Sequence, residues 1–246
     1  PISDAPQTSS SSPSAAARPE ADLAAFAAAL GEELEVWGAS LIGGDTVSSP
    51  GGLFLSMTLT GRCAGPAPVR RGGAGVGDDV WVTGEIGAAR RGFIARAAGA
   101  ENAWTDALRM PRLPPLAAAQ LVAEAATAAM DVSDGLLGDA ASLAEASGAG
   151  VTIDLGRVPF AGGAADLAEM IELSTWGDDY QILFTAPAAR RDALLAAAGD
   201  AGVRISRIGE IRAAAGLAAT LNNLAVNLPE TVAFEHGRIG MPATRP

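Results

Sequence analysis

Three carboxylates fall within nine residues in the stretch Met130-Asp131-Val132-Ser133-Asp134-Gly135-Leu136-Leu137-Gly138-Asp139. Carboxylate oxygens beside a hydroxyl are the donor set of a hard divalent cation. A glycine turn that opens a helix can add backbone N–H groups for a phosphate. Leu136, Leu137, Ala140, Leu143 and Ala144 recur at helical spacing behind this run, so Ser133 or Asp134 is placed to cap a helix, with free N–H groups pointing outward. An ATP phosphate with Mg2+ suits that arrangement, and an ordinary acidic cap on a surface helix suits it equally.

Three other stretches carry candidate chemistry. Gly43-Gly44-Asp45-Thr46 can turn sharply and project a carboxylate and a hydroxyl together, or be a plain polar turn. Arg70-Arg71-Gly72-Gly73 can fork onto a phosphate while its glycines allow close backbone approach; as an ordinary surface loop it only leads into a strand, with Asp78 and Asp79 marking the turn. Trp176-Gly177-Asp178-Asp179-Tyr180 sets paired carboxylates between aromatics, which can hold a flat or cationic heterocycle. Its plainer reading has Tyr180 in the core and both aspartates solvated. His236 is the only histidine, which leaves no parts for a histidine metal site or a Ser-His-Asp triad.

Composition narrows the chemistry. All 17 basic residues are arginine. Without lysine there is no Walker-type P-loop, no kinase strand lysine and no Schiff base, so phosphate handling falls to arginine, backbone amides and metal-bound carboxylates. A formal charge of −11 disfavours nucleic acid and acidic membranes as partners. No apolar run approaches the roughly 20 residues of a membrane span. The single cysteine, Cys63, and the lack of a signal-peptide pattern suit a cytoplasmic protein.

The elements that must position these residues follow in order. Residues 1–19 are Ser/Pro-rich and predict a disordered tail. The spacing predicts a helix over 20–37 with Gly38 at its C-cap, and strands over 39–42 and 53–60. Gly, Pro and Ala at 62–68 mark a boundary, giving a first module over 20–62 and a second over 63–246. The second should alternate strands at 80–84, 151–155, 181–185 and 203–211 with helices at 86–98, 116–129, 163–172 and 190–198. Residues 104–115 read as a helix end and a proline-broken connection, 174–180 as a polar turn, and the last 35 residues as weak short strands. Hydroxyl-rich strand faces point to an α+β class with a mixed sheet covered by helices on one side, rather than a doubly wound parallel sheet.

The order GGDT, amphipathic strand, R-x-G-A-x-x-G-D before a V-T-G strand, MDVSDGLLGD and GDDYQILFT resembles the thiamine-monophosphate kinases of the AIR-synthase-like (PurM-like) ATP-binding superfamily. That resemblance covers about residues 21–237. It implies direct transfer of the γ-phosphoryl group of ATP to thiamine monophosphate, giving the diphosphate, with Mg2+ between the two anions. By position it makes Gly44, Asp45, Arg71 and Ser133 ATP-site residues, Asp45, Asp131 and Asp134 Mg2+ ligands, and Asp178 and Phe234 substrate residues. Most of the family's N-terminal module, which carries further metal ligands and forms the homodimer, has no counterpart, so turnover and dimerisation of this chain stay open. Gly177-Asp178-Asp179-Tyr180-Gln181 replaces the family's G-E-D-Y-E, and no Pro-x-Pro-Arg follows Asp106. The alternatives are another ATP-binding relative, of the hydrogenase-maturation or aminoimidazole-ribonucleotide synthase kind, or a non-catalytic binding protein.

Overall fold

The computed structural model describes residues 20–47, 53–63, 65 and 67–233; the tail predicted at 1–19, Phe234 and His236 lie outside them. The chain divides into two units, Pro1–Gly61 and Arg62–Pro246.

In the first unit α1 spans Glu20–Val36 with no buried residue. It ends where expected: Gly38 takes φ 62, and the Ala39 N–H donates to the Leu34 carbonyl at 2.8 Å. The two predicted strands do not form. Residues 39–47 and 53–61 carry no regular structure, and Leu53, Leu55, Met57 and Leu59 are 62, 61, 70 and 74% exposed. Alternating side chains define a face, but a strand exists only where a neighbour takes its hydrogen bonds. No such neighbour stands among the described residues of this unit.

The second unit is built on one seven-stranded sheet in the order β2-β4-β1-β5-β3-β6-β7. The strands are β1 (Asp78–Thr83), β2 (Ala128–Asp131), β3 (Gly150–Asp154), β4 (Ile182–Pro187), β5 (Ile205–Arg212), β6 (Gly216–Leu221) and β7 (Leu224–Val226). Neighbours are antiparallel except β3 with β6, so the sheet is mixed. The helices are α2 (Ala88–Ala97), α3 (Ala103–Arg109), α4 (Leu116–Ala125), α5 (Leu136–Ala146), α6 (Leu167–Thr175) and α7 (Arg191–Asp200). Strand alternation sends Val80 and Val82 to one core with Leu136, Leu143 and Leu173 of α5 and α6. Trp81 and Phe184 go to a second core with Leu121 and Leu194 of α4 and α7. Both faces are therefore covered over part of the sheet, not one, because α4 and α7 lie across the β2-β4-β1 side. Among the described residues no helix is long and apolar enough to cross a membrane.

Three boundaries move for physical reasons. The Ala-rich helix predicted over 116–129 stops at Ala125. The Thr127 N–H donates to the Thr185 carbonyl at 2.8 Å and its Oγ1 to Asp78 at 2.7 Å, so pairing with β4 overrides alanine's helix preference. α6 begins late because Gly162 and Gly163 are left-handed and Asp166 caps it, accepting the Glu169 N–H at 2.9 Å. It then runs through Ser174 and Thr175, which had been placed in the turn.

Asp78 closes the turn before β1, its N–H donating to the Gly75 carbonyl at 3.0 Å and its Oδ2 accepting the Gly75 N–H at 2.8 Å, whereas Asp79 stands inside the strand; both are buried rather than solvated. Asp79 takes a two-pronged bond from Arg191 of α7 at 2.7 and 2.8 Å and a short one from Arg207 of β5. Burial pushes its carboxyl up, but the two guanidiniums together outweigh that and hold it below the usual carboxylate range. One carboxylate thus ties a helix and two strands together.

Candidate functional site

The pairing of β2 with β4 continues past the strand ends into the two acidic loops. The Val132 N–H donates to the Gln181 carbonyl (2.8 Å), the Tyr180 N–H to the Val132 carbonyl (2.8 Å) and the Asp178 N–H to the Ser133 carbonyl (3.0 Å). Two glycines allow this approach. A Cβ on Gly177 would stand 1.9 Å from the Ser133 oxygen, and one on Gly135, at φ 122, would stand 2.8 Å from the Thr175 carbonyl carbon. Asp178 and Tyr180 are left-handed at φ 66 and 49. For residues other than glycine that conformation costs roughly 1–3 kcal/mol and gathers at functional loops.

The result is a shared acidic surface. Asp131, Asp134 and Asp178 are exposed, and the Tyr180 hydroxyl donates to Asp178 Oδ1 at 3.4 Å. Burial, then the charges of Asp178, Asp131 and Asp134, push the Tyr180 phenol up, so all three carboxylates act on one group. The sequence reading placed Tyr180 in the core under its plainer alternative; it is 39% exposed instead.

Behind the exposed carboxylates sit two buried ones, Asp139 and Asp179, which the sequence offers as a cation donor and a solvated or substrate-facing carboxylate. Asp139 accepts the N–H groups of Ser133, Asp134 and Gly135 at 3.0, 3.2 and 3.2 Å. The expectation of a Ser133 or Asp134 cap and free outward N–H groups is therefore corrected: Gly135 is the N-cap of α5, without a side-chain cap bond, and Asp139 takes the donors. Asp179 was expected to be solvated but is 5% exposed. It accepts the Gly87 N–H at 2.7 Å and the Ala89 N–H at 3.3 Å, capping α2 from a distant loop, since Gly87 has no side chain to do so.

Burial pushes the Asp179 carboxyl up to about 6 despite these donors. A folded value above the unfolded 3.8 means that the folded state holds the proton more readily between the two. This contribution to stability is complete below pH 3.8 and is lost as pH rises through about 6. Asp179→Asn should therefore shrink the change in melting temperature between pH 5 and pH 7. An unchanged difference would contradict the assignment.

The remaining predicted residues are placed as follows. Arg71 is exposed and lies between two anchors, the Arg70 carbonyl on the Ala129 N–H (2.9 Å) and Gly73 beside the Thr127 carbonyl. That fixes it alongside the first half of β2, whereas Asp131 ends the strand. The loop glycines approach protein rather than leaving room for phosphate: a Cβ on Gly72 would meet the Ala146 oxygen at 2.5 Å. Gly44 and Asp45 belong to the first unit, where Asp45 Oδ1 accepts the Thr46 N–H at 2.7 Å. Trp176 already has a cation, for the Arg90 guanidinium stands 4.3 Å from its ring centre.

Among the described residues no three Asp, Glu, His or Cys side chains group as a ready cation cage. Mg2+ commonly takes one or two carboxylates and completes its shell with water and substrate phosphate. Asp131, at the end of β2, and Asp134, in the loop that follows it, are both exposed and fit that donor set. Next to Asp178 opens a cleft of about 390 Å3 lined by Trp104, Pro111, Arg112, Asp179 and Gln181 among others, a volume within the small-molecule range. Gln181 braces its wall, donating to the Arg112 carbonyl at 2.7 Å and accepting the Thr83 hydroxyl at 2.9 Å.

A family model described as AIR synthase related protein, C-terminal domain, matches residues 75–222. A thiamine-monophosphate kinase of Caulobacter vibrioides is 34% identical over 223 residues, covering 86% of this chain and 63% of that protein. The chain thus spans less than two thirds of that relative's length. The structure of thiamine-monophosphate kinase from Stenotrophomonas maltophilia K279a superposes with a TM-score of 0.56 at 30% identity, over 64% of this chain and 54% of that one. The AaThiL structure complexed with AMPPCP and TMP gives 0.55 at 25% identity, over 68% and 54%.

Proposed function

The chain belongs to the AIR-synthase-related family, and on that premise we propose that it carries the C-terminal part of an ATP-dependent thiamine-monophosphate kinase. The γ-phosphoryl group of ATP passes to a phosphate oxygen of thiamine monophosphate, the bond from phosphorus to the ADP oxygen breaks, and thiamine diphosphate leaves. The observation that carries this reading is the apposition of the two acidic loops, with Asp131 and Asp134 on one and Asp178 on the other. The relatives named thiamine-monophosphate kinase, and a structural neighbour holding an ATP analogue together with TMP, support it.

In this reading Asp131 and Asp134 would hold Mg2+. Ser133 turns its hydroxyl to the nucleotide. Bound there, Mg2+ supplies the charge neutralisation that two facing polyanions need. Asp178 faces the acceptor, and the cleft beside it takes the acceptor's planar rings; Phe234 belongs to the same substrate set. The chain acts in the cytoplasm, on the ATP available there. The intact chain, incubated with ATP, Mg2+ and thiamine monophosphate, is expected to form thiamine diphosphate measurable by chromatography. Mg-ATP binding without product would instead favour a non-catalytic binding protein.

A further inference from the structure

Successive backbone N–H groups converging at the start of a helix make an anion-binding nest, and the dipole of the helix adds to its pull on negative charge. The N–H groups of Ser133, Asp134 and Gly135 form such a nest at the start of α5. Its occupant is internal: Oδ2 of Asp139, one turn into the helix, accepts all three. The carboxylate is 3% exposed, so neither solvent nor a ligand phosphate reaches those donors while it stays. The Asp139 N–H in turn donates to the Gly135 carbonyl at 2.9 Å, which locks the nest and the first helical turn into one unit.

We propose that Asp139 is a positioning residue that makes this loop a cation site instead of a phosphate site. By filling the nest with its own side-chain oxygen it withdraws the loop's N–H groups from phosphate and holds the 133–135 backbone in the one shape that leaves the Asp131 and Asp134 carboxylates facing solvent together. Phosphate then meets the loop only by way of metal held on those carboxylates and the Ser133 hydroxyl. This rests on the metal–nucleotide reading above, yet its structural half concerns the free protein.

Three readouts on the full chain test it: amide hydrogen exchange at residues 133–135 without ligand, calorimetric affinity for Mg-ATP, and affinity for inorganic phosphate with a chelator present. Asp139→Ala should speed exchange at the three amides at least tenfold, weaken Mg-ATP at least tenfold and create phosphate binding that the wild type lacks. Asp139→Asn, which keeps an acceptor oxygen, should stay within about threefold of wild type for Mg-ATP and should not admit phosphate. If Asp139→Ala does not fold, the asparagine variant decides alone: phosphate binding or a tenfold loss of Mg-ATP in it overturns the proposal. Unchanged exchange and affinities in the alanine variant overturn it too, as does loss of Mg-ATP with the amides still protected. If wild type fails to bind Mg-ATP, the proposed function falls, whereas faster exchange and new phosphate binding in the alanine variant still report the filled nest.

Discussion

Gly177→Ala should lower the stability of the chain by about 3 kcal/mol, a drop of about 10 °C in melting temperature for a unit of this size, and should weaken Mg-ATP at least tenfold. The added Cβ would stand 1.9 Å from the Ser133 oxygen, with the Ser133 carbonyl carbon at 2.9 Å and Asp134 Cα at 3.1 Å next nearest. All three are backbone, so no side chain can swing away. The loops must part, which breaks the bond from the Asp178 N–H to the Ser133 carbonyl and moves Asp134 relative to Asp178. Gly199→Ala is the control: nothing lies within 4 Å of its Cβ, it sits inside α7, and alanine there is neutral or mildly stabilising. Equal melting temperatures for the two variants would contradict the close loop contact.

Asp79→Ala should cost about 3 kcal/mol in urea-induced unfolding. Removing one partner of a buried ion pair is expensive because the other charge is stranded. Here the arginines are not wholly stranded, for the Arg191 and Arg207 side chains are 42 and 22% exposed and can recover some hydration, which keeps the expected loss at the lower end of the range. α7 should loosen first, since Arg191 opens that helix. A loss below about 1 kcal/mol would show that packing of Leu194 and Ala198, rather than the ion pair, holds α7 to the sheet.

The sequence made four of the second unit's seven strands legible because each is a short apolar run with turn residues at its ends; 80–84, 151–155, 181–185 and 203–211 all stand in the sheet within a few residues, whereas β2 was hidden at the end of an Ala-rich helical pattern. It made the acidic loops legible as separate signals, joined only by their order along the chain and by family resemblance. Their contact depends on β2 pairing with β4, which is a tertiary fact. The burial of Asp139 and Asp179 was not legible because an acidic residue near a turn is usually solvated, although periodicity held a clue to each. Asp139 falls in the series Leu136, Asp139, Ala140, Leu143 on the apolar face of α5. Asp179, in the loop before β4, falls two residues before Gln181 and four before Leu183, and all three are buried. Leu53 to Leu59 misled in the opposite way: their alternation is strong, but alternation describes a face and cannot supply the neighbouring strand.

Direct titration of the intact chain with ATP, in Mg2+ and again with chelator, for wild type and Asp131→Asn, tests the metal–nucleotide site most directly. The paired acidic loops predict binding to wild type in Mg2+, lost with chelator, and at least tenfold weaker in Asp131→Asn even with Mg2+, a change of at least about 1.4 kcal/mol. Equal affinity of wild type and Asp131→Asn for Mg-ATP, or binding of ATP that ignores the metal, would contradict it.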